Sequence, residues 1–196
     1  MPGPHSLVLA SASPQRRKIL ERLGVSFTVR PTDVEEIERG DPAEVAIENA
    51  QRKARAALRE GAEGAMETIL GCDTLVALGG RIFGKPRDQS AARETIAALA
   101  GERHTVFSGV ALLGEGHEQV ALARTEVSFR ECDARLVDWY VASGEWREKS
   151  GGYAIQGLGA VLVREIRGDY ENVVGLPLAT LLDLCPELLP TKPSRF

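Results

Sequence analysis

The stretch Thr68–Leu78 (TILGCDTLVAL) is an apolar run interrupted by one acidic residue and closed by Gly79-Gly80. It is far shorter than the ~20 residues needed to span a bilayer, and its β-branched content favours a strand. The paired glycines then predict a hairpin turn into Arg81-Ile82-Phe83. Asp73 sits in the middle of this run. A carboxylate among Ile69, Leu70, Leu75 and Val76 is costly to bury unless it is paired, bound to metal or open to a cleft. The alternative is an edge-strand aspartate on a solvated face.

Around this strand the patterns alternate. Leu7–Ala10 reads as a strand that turns through Ser-Ala-Ser-Pro into a helix with Gly24 just beyond its end. Ser26–Val29 predicts a second strand, followed by an acidic turn at Asp33, Glu35 and Glu36. Pro42 to about Glu60 predicts a helix with Ala46, Ala50, Lys53 and Ala57 on one face. Further helices are expected over Asp88–Leu99, with Gly101 as its cap, over Ala134–Ser143, and from Pro177. Long strands are expected at Thr105–Leu113 and Val120–Phe129 around a polar loop, Gly114–Gln119, and a shorter one at Val161–Ile166. Mixed elements without a repeat indicate an α/β or α+β class in one domain over residues 1–196. The tail from about residue 186 is expected to be loosely ordered.

Lys+Arg number 24 and Asp+Glu 28, a net charge of −4. That balance argues against a protein that coats nucleic acid. It leaves room for a small anionic ligand held by a few cations. Cys72, Cys132 and Cys185 are odd in number and contain no CxxC, so a disulfide framework or zinc knuckle is not expected and a cytoplasmic location is. The N-terminal residues lack the basic region of a signal peptide, and no membrane association is expected.

Several short segments carry possible chemistry. In Ser11-Ala-Ser13-Pro14-Gln15-Arg16-Arg17, Ser13 suits an N-cap and Pro14 a first helical residue, leaving backbone N–H groups open to an anion. A cation in a first turn opposes the helix macrodipole by ~0.3–1 kcal/mol, a penalty that a bound phosphate reverses. The alternative is a capped helix with solvated arginines. Lys53, on a face of small residues, must snorkel or meet an anion, or else marks the stripe's margin. Gly79–Pro86 contains a GxxxxGK spacing, but Pro86 stands where a P-loop needs Ser or Thr, so only Lys85 remains as a phosphate contact or a solvated lysine. Gly151–Gly159 lacks the third glycine of a dinucleotide fingerprint and fits a close-approach loop with Gln156 as an amide reader, or a structural turn. His5, His104 and His117 show no metal-binding spacing.

As an ordered set these segments resemble the Maf family of nucleoside triphosphate pyrophosphatases. The segments are Leu9–Leu20, Gln51-Arg52-Lys53-Ala54, Cys72-Asp73-Thr74, Gly84-Lys85-Pro86, Leu99–Val106, Gly152–Gly157 and Asn172–Leu178. The resemblance spans about Leu9–Leu182. It implies an elongated α/β fold, a mixed sheet with flanking helices in two lobes about a central cleft. It also implies attack of water at the α-phosphorus of a nucleoside triphosphate, giving monophosphate and pyrophosphate. By the same resemblance Asp73 is the proton acceptor, and Ser11, Arg16, Lys53 and Lys85 contact phosphates. Asp73 and Glu36 would hold a divalent cation, Mg²⁺ or Mn²⁺, and the assembly would be a homodimer. Thr74 and the Tyr-Ala-Ile-Gln156-Gly stretch resemble the subfamily acting on dTTP and UTP. Gln15 departs from it, since that subfamily has arginine there, and a broader substrate range is expected from the difference; modified nucleotides are a further expected class of substrate. The rival expectations are a nucleotide-binding regulator of cell division without turnover, and a phosphatase acting at the γ end.

Overall fold

The computed structural model describes residues 6–61, 66–114 and 116–190. His5 and residues 191–196 of the tail lie outside the described residues. The strands are β1 (Ser6–Leu9), β2 (Phe27–Val29), β3 (Glu67–Leu78), β4 (Arg81–Phe83), β5 (Arg103–Gly114), β6 (His117–Phe129) and β7 (Val163–Arg167). The helices are α1 (Pro14–Arg22), α2 (Pro42–Arg59), α3 (Gln89–Leu99), α4 (Ala134–Ala142), α5 (Tyr170–Val174) and α6 (Leu178–Leu184). All the strands belong to one mixed sheet ordered β2-β1-β3-β5-β6-β7, with β4 also on β3. β1 runs parallel to both β2 and β3, and the remaining pairs are antiparallel. The fold is therefore α/β with a mixed sheet and flanking helices.

β3 is the axis of this sheet. One edge pairs with β5 from Ile69 to Ala77. The other edge is divided: Glu67–Leu70 pair with β1 and Val76–Leu78 with β4. Between those two neighbours, residues 71–75 meet no strand of the described residues on that side, and the chain segments after β1 and before β7 converge there. Asp73 is thus central and 6% exposed, which excludes the edge-strand reading. Gly79 and Gly80, at φ 57° and 81°, form the two-residue turn that a hairpin twist requires.

Helix α2 lies across β3 and β5. Ala46, Ala50, Ala54 and Ala57 are all fully buried. Small side chains on the helix meet Gly71 and Gly109 on the sheet. A Cβ on Gly71 would come 2.2 Å from the Ala50 carbonyl oxygen, and one on Gly109 2.1 Å from that of Ala46. The layers therefore touch backbone to backbone. On the opposite face, Leu9, Ile19, Leu20, Leu70, Leu176 and Leu181 form a buried cluster under α1 and α6. Each such side chain contributes about 1.5–3 kcal/mol on burial. A separate cluster around Ile96, Phe129, Tyr140 and Tyr153 packs α3 and α4 together.

Several boundaries differ from the sequence reading. Ala100 ends α3 in an extended conformation, and the Gly101 N–H donates to the Arg130 carbonyl instead of capping the helix. His117, Glu118 and Gln119 belong to β6, because cross-strand backbone pairing with Leu112–Gly114 extends the hairpin regardless of their polarity. Leu158–Leu162 is a 3-10 turn, so the last strand begins at Val163. Helix α5 was not anticipated; Asp169 caps it by accepting from the Glu171 N–H. Pro186–Leu188 forms a further 3-10 turn, with Leu188 packed on the α1–α6 cluster. No helix of the described residues is long and apolar enough to cross a membrane.

Candidate active site

The gap beside β3 opens into a cavity of about 520 Å³, within the range of small-molecule sites. Ser11, Gln15, Arg16, Glu36, Lys53 and Asp73 line it, together with Thr74, Lys85 and Gln156. All nine residues singled out from the sequence thus reach one cavity.

Asp73 projects toward α2, where two residues one turn apart receive it. Lys53 Nζ lies 2.6 Å from Oδ1, and Asn49 Nδ2 donates to Oδ2 at 3.1 Å. Lys53 Nζ also reaches Glu36 Oε1 at 2.5 Å, so one ammonium bridges both carboxylates. The lysine is largely buried and belongs to the site, not to the margin of the stripe. Asn49 has a second task. Its Oδ1 accepts from the Ile37 N–H at 2.8 Å and its Nδ2 donates to the Ile37 carbonyl at 3.1 Å. This two-way clamp fixes the loop that carries Glu36. Asn49 was missed in the sequence, although its place four residues before Lys53 puts the two on one helical face.

Arg16 is buried at 7% exposure. Its Nε donates to the Gly175 carbonyl at 2.8 Å, Nη1 to Ser11 Oγ at 2.9 Å and Nη2 to Thr74 Oγ1 at 3.1 Å. Among the described residues it has no carboxylate partner. A buried cation held only by neutral acceptors favours an arriving anion. Arg17 is solvated and pairs with Glu21, so the solvated reading suits Arg17 and not its neighbour. Thr74 Oγ1 accepts from Arg16, donates to the Gly175 carbonyl at 3.2 Å and meets Ser108 Oγ at 2.8 Å. Its one hydrogen and both lone pairs are committed to this scaffold when Ser108 donates.

Gly175 is therefore a further site residue, contributing only its carbonyl. It follows α5 at φ 128° and is placed by Asn172, whose Nδ2 donates to the Val106 carbonyl and to Thr125 Oγ1. Thr32 also lines the cavity, and its buried Oγ1 has no hydrogen-bond partner among the described residues. Lys85 follows the β4 strand and lies 3.4 Å from Glu148, with both side chains well exposed. Glu148 adopts φ 57°, the sole positive φ outside glycine among the described residues. Gln15 Oε1 accepts from Ser13 Oγ at 3.3 Å. The near wall holds Tyr153, which meets His104 Nε2 at 3.0 Å and packs edge-on against Phe129. Burial pushes His104 down to about 4 and raises Tyr153, so this pair is neutral near pH 7.

A mixed-sheet α/β framework with cations and two carboxylates gathered about one cleft defines a protein built to hold a small, highly anionic ligand. The chain belongs to the Maf family: a family model described as "Maf-like protein" matches residues 6–188. The dTTP/UTP pyrophosphatase of Moorella thermoacetica is 47% identical over 182 residues, covering 91% of this chain and 92% of that protein. That of Gloeobacter violaceus is 45% identical over 185 residues, with 92% and 95% covered. The Pyrococcus furiosus protein of the same name is 42% identical over 180 residues, with 91% and 93% covered. Among solved structures, a dITP/XTP pyrophosphatase from Mycobacterium abscessus overlaps loosely, at TM-score 0.47 and 20% identity, with 95% and 100% covered.

Proposed function

We propose that this protein hydrolyses nucleoside triphosphates to the monophosphate and pyrophosphate, favouring dTTP and UTP. The observation that carries this reading is the convergence of Arg16, Lys53, Lys85 and Asp73 on one cavity. The names of its relatives point to the same reaction. A triphosphate brings about four negative charges, so the protein's part in phosphoanhydride cleavage is positioning and charge neutralisation. Arg16 supplies a fixed, planar cation with no carboxylate partner among the described residues. Lys53 and Lys85 can exchange their carboxylate partners for phosphate oxygens. Asp73, oriented by Asn49, is the acceptor for a proton from the attacking water.

The donor set suits a hard divalent cation. Asp73 and Glu36 converge on one ammonium, and two carboxylates completed by phosphate oxygens and water satisfy Mg²⁺ or Mn²⁺. The described residues hold no cluster of three or more His, Cys, Asp or Glu disposed for metal. The cation would supply charge neutralisation at the phosphates. The three cysteines are free, which agrees with a cytoplasmic location. Assembly as a homodimer is carried by the family resemblance, and no nucleic-acid or membrane partner enters the reading.

The test is a nucleotide panel with Mg²⁺ or Mn²⁺ and identification of the released product. Pyrophosphate is the expected product, with dTTP and UTP turned over best. Asp73→Asn should lower kcat by about 10²–10⁴-fold while the fold persists. Release of inorganic phosphate would place cleavage at the γ end. Tight nucleotide binding without turnover would instead support the cell-division regulator, which the relatives do not favour.

A further inference from the structure

We propose that Glu145, outside the cavity, is a positioning residue for nucleotide recognition, acting through the backbone of Gly157–Gly159 on Gln156. The inference rests on the cavity's reading as a nucleotide site.

Glu145 lies just beyond α4. Its Oε1 accepts from the Leu158 N–H at 2.9 Å and its Oε2 from the Gly159 N–H at 2.7 Å. These are the first free N–H groups of the 3-10 turn Leu158–Leu162. The residue in the cap position, Gly157, has no side chain with which to hold them. A carboxylate from a distant element therefore performs the capping, with both bonds strengthened by its charge. Gly157 is required by this arrangement, since a Cβ there would stand 1.8 Å from Glu145 Oε1. The Gly157 N–H donates in turn to the Ala154 carbonyl, and the Ala160 N–H to that of Gly157. A Cβ on Gly159 would fall 2.6 Å from the Ala154 oxygen, so the loop folds tightly on itself.

The consequence concerns Gln156. Tyr153 and Ile155 anchor one side of the loop in the core, and Glu145 anchors the other. Gln156 stands exposed between them, lining the cavity, and among the described residues no hydrogen bond holds its amide. Its placement is set by the backbone beneath it, and so by Glu145. No other described side chain bonds the N–H groups of Leu158 and Gly159.

The experiment compares Glu145→Ala, Gly157→Ala and the double variant in the full chain with Mg²⁺. Kinetics with UTP are joined by equilibrium binding of UMP and of inorganic pyrophosphate, and by melting curves. Gly157→Ala evicts only the carboxylate tip, and so serves should Glu145→Ala fold poorly. Each single variant is expected to raise KM for UTP about tenfold with kcat within about threefold, because placement of the base is lost and the reacting end is kept. UMP binding should weaken in parallel and pyrophosphate binding should hold. The double variant should be no worse than either single, since both remove one contact. Glu145→Gln, which keeps one acceptor oxygen, should recover part of the loss. Equal weakening of UMP and pyrophosphate, a fall in kcat alone, or multiplying losses in the double variant would overturn the proposal. Absence of pyrophosphate release by the unsubstituted protein would overturn the functional reading instead.

Discussion

Gly109→Ala tests the link between sheet packing and the candidate base. Gly109 lies on β5 directly across from Asp73. A methyl group there would meet the Ala46 oxygen at 2.1 Å, the Ala46 carbonyl carbon at 2.5 Å and the Ile47 nitrogen at 2.7 Å. All three are backbone atoms of α2, so no rotamer change relieves the clash. Restoring ordinary contact requires the helix to retreat by about 1.3 Å. Carried along α2, that retreat stretches the Asn49–Asp73 bond from 3.1 Å and the Lys53–Asp73 pair from 2.6 Å beyond hydrogen-bonding reach. Overpacking of this kind costs about 1–3 kcal/mol. For a chain of this size that is a drop in Tm of roughly 5 °C, with kcat/KM reduced about tenfold or more well below the melting range. Thermal melts and pyrophosphate release measure the two effects separately. Lost stability with full turnover would show that Asp73 does not depend on α2. If neither changed, the backbone contact between the layers would itself be refuted.

Other substitutions probe the remaining groups. Arg16→Lys removes the fork that reaches Gly175, Ser11 and Thr74 together, and should raise KM for the triphosphate and lower stability by about 1–3 kcal/mol; unchanged KM and urea midpoint would exclude it from the phosphate site. His104, held at about 4 in the folded protein, protonates near 6.5 once unfolded. Its contribution is fully present above pH 6.5 and declines by roughly 3 kcal/mol as the pH falls to 4, because only the unfolded chain gains the proton in that window. Urea unfolding from pH 7 to 4 should show a shallower decline in His104→Gln, and equal slopes would refute the assignment. Gln15→Arg should alter the ratio of kcat/KM among pyrimidine and purine triphosphates, and an unaltered ratio removes Gln15 from base selection.

The sequence made local structure readable where a side-chain pattern was long enough to repeat. The alanine face of α2, the Gly79-Gly80 hairpin and the Ser13-Pro14 start of α1 all follow from such patterns. Helix α5 has only five residues, too few for a period to emerge, and the polar start of β6 is held by main-chain pairing that side chains do not report. The burial of Asp73 was not legible, because strand order depends on contacts between distant segments. The cations and the carboxylate of the site were visible as residues whose burial needs a reason. Asn49, Gly175 and Glu145 were not, since an ordinary asparagine, a carbonyl oxygen and a surface glutamate carry no local signal of what they hold.

The Gly175 carbonyl has a bearing on how the protein comes into being. It receives the Arg16 guanidinium across a separation of 159 residues and also meets the hydroxyl of Thr74. Contacts of such long range form late and slow the search for the native state. A nascent chain emerging from the ribosome can close the β1–α1 turn early and bring Ser11 to Arg16, yet the acceptor for the arginine's Nε is missing until Gly175 has been made. Fragments halted before that carbonyl would carry every charged residue lining the pocket and still lack the main-chain oxygen that holds the Arg16 guanidinium.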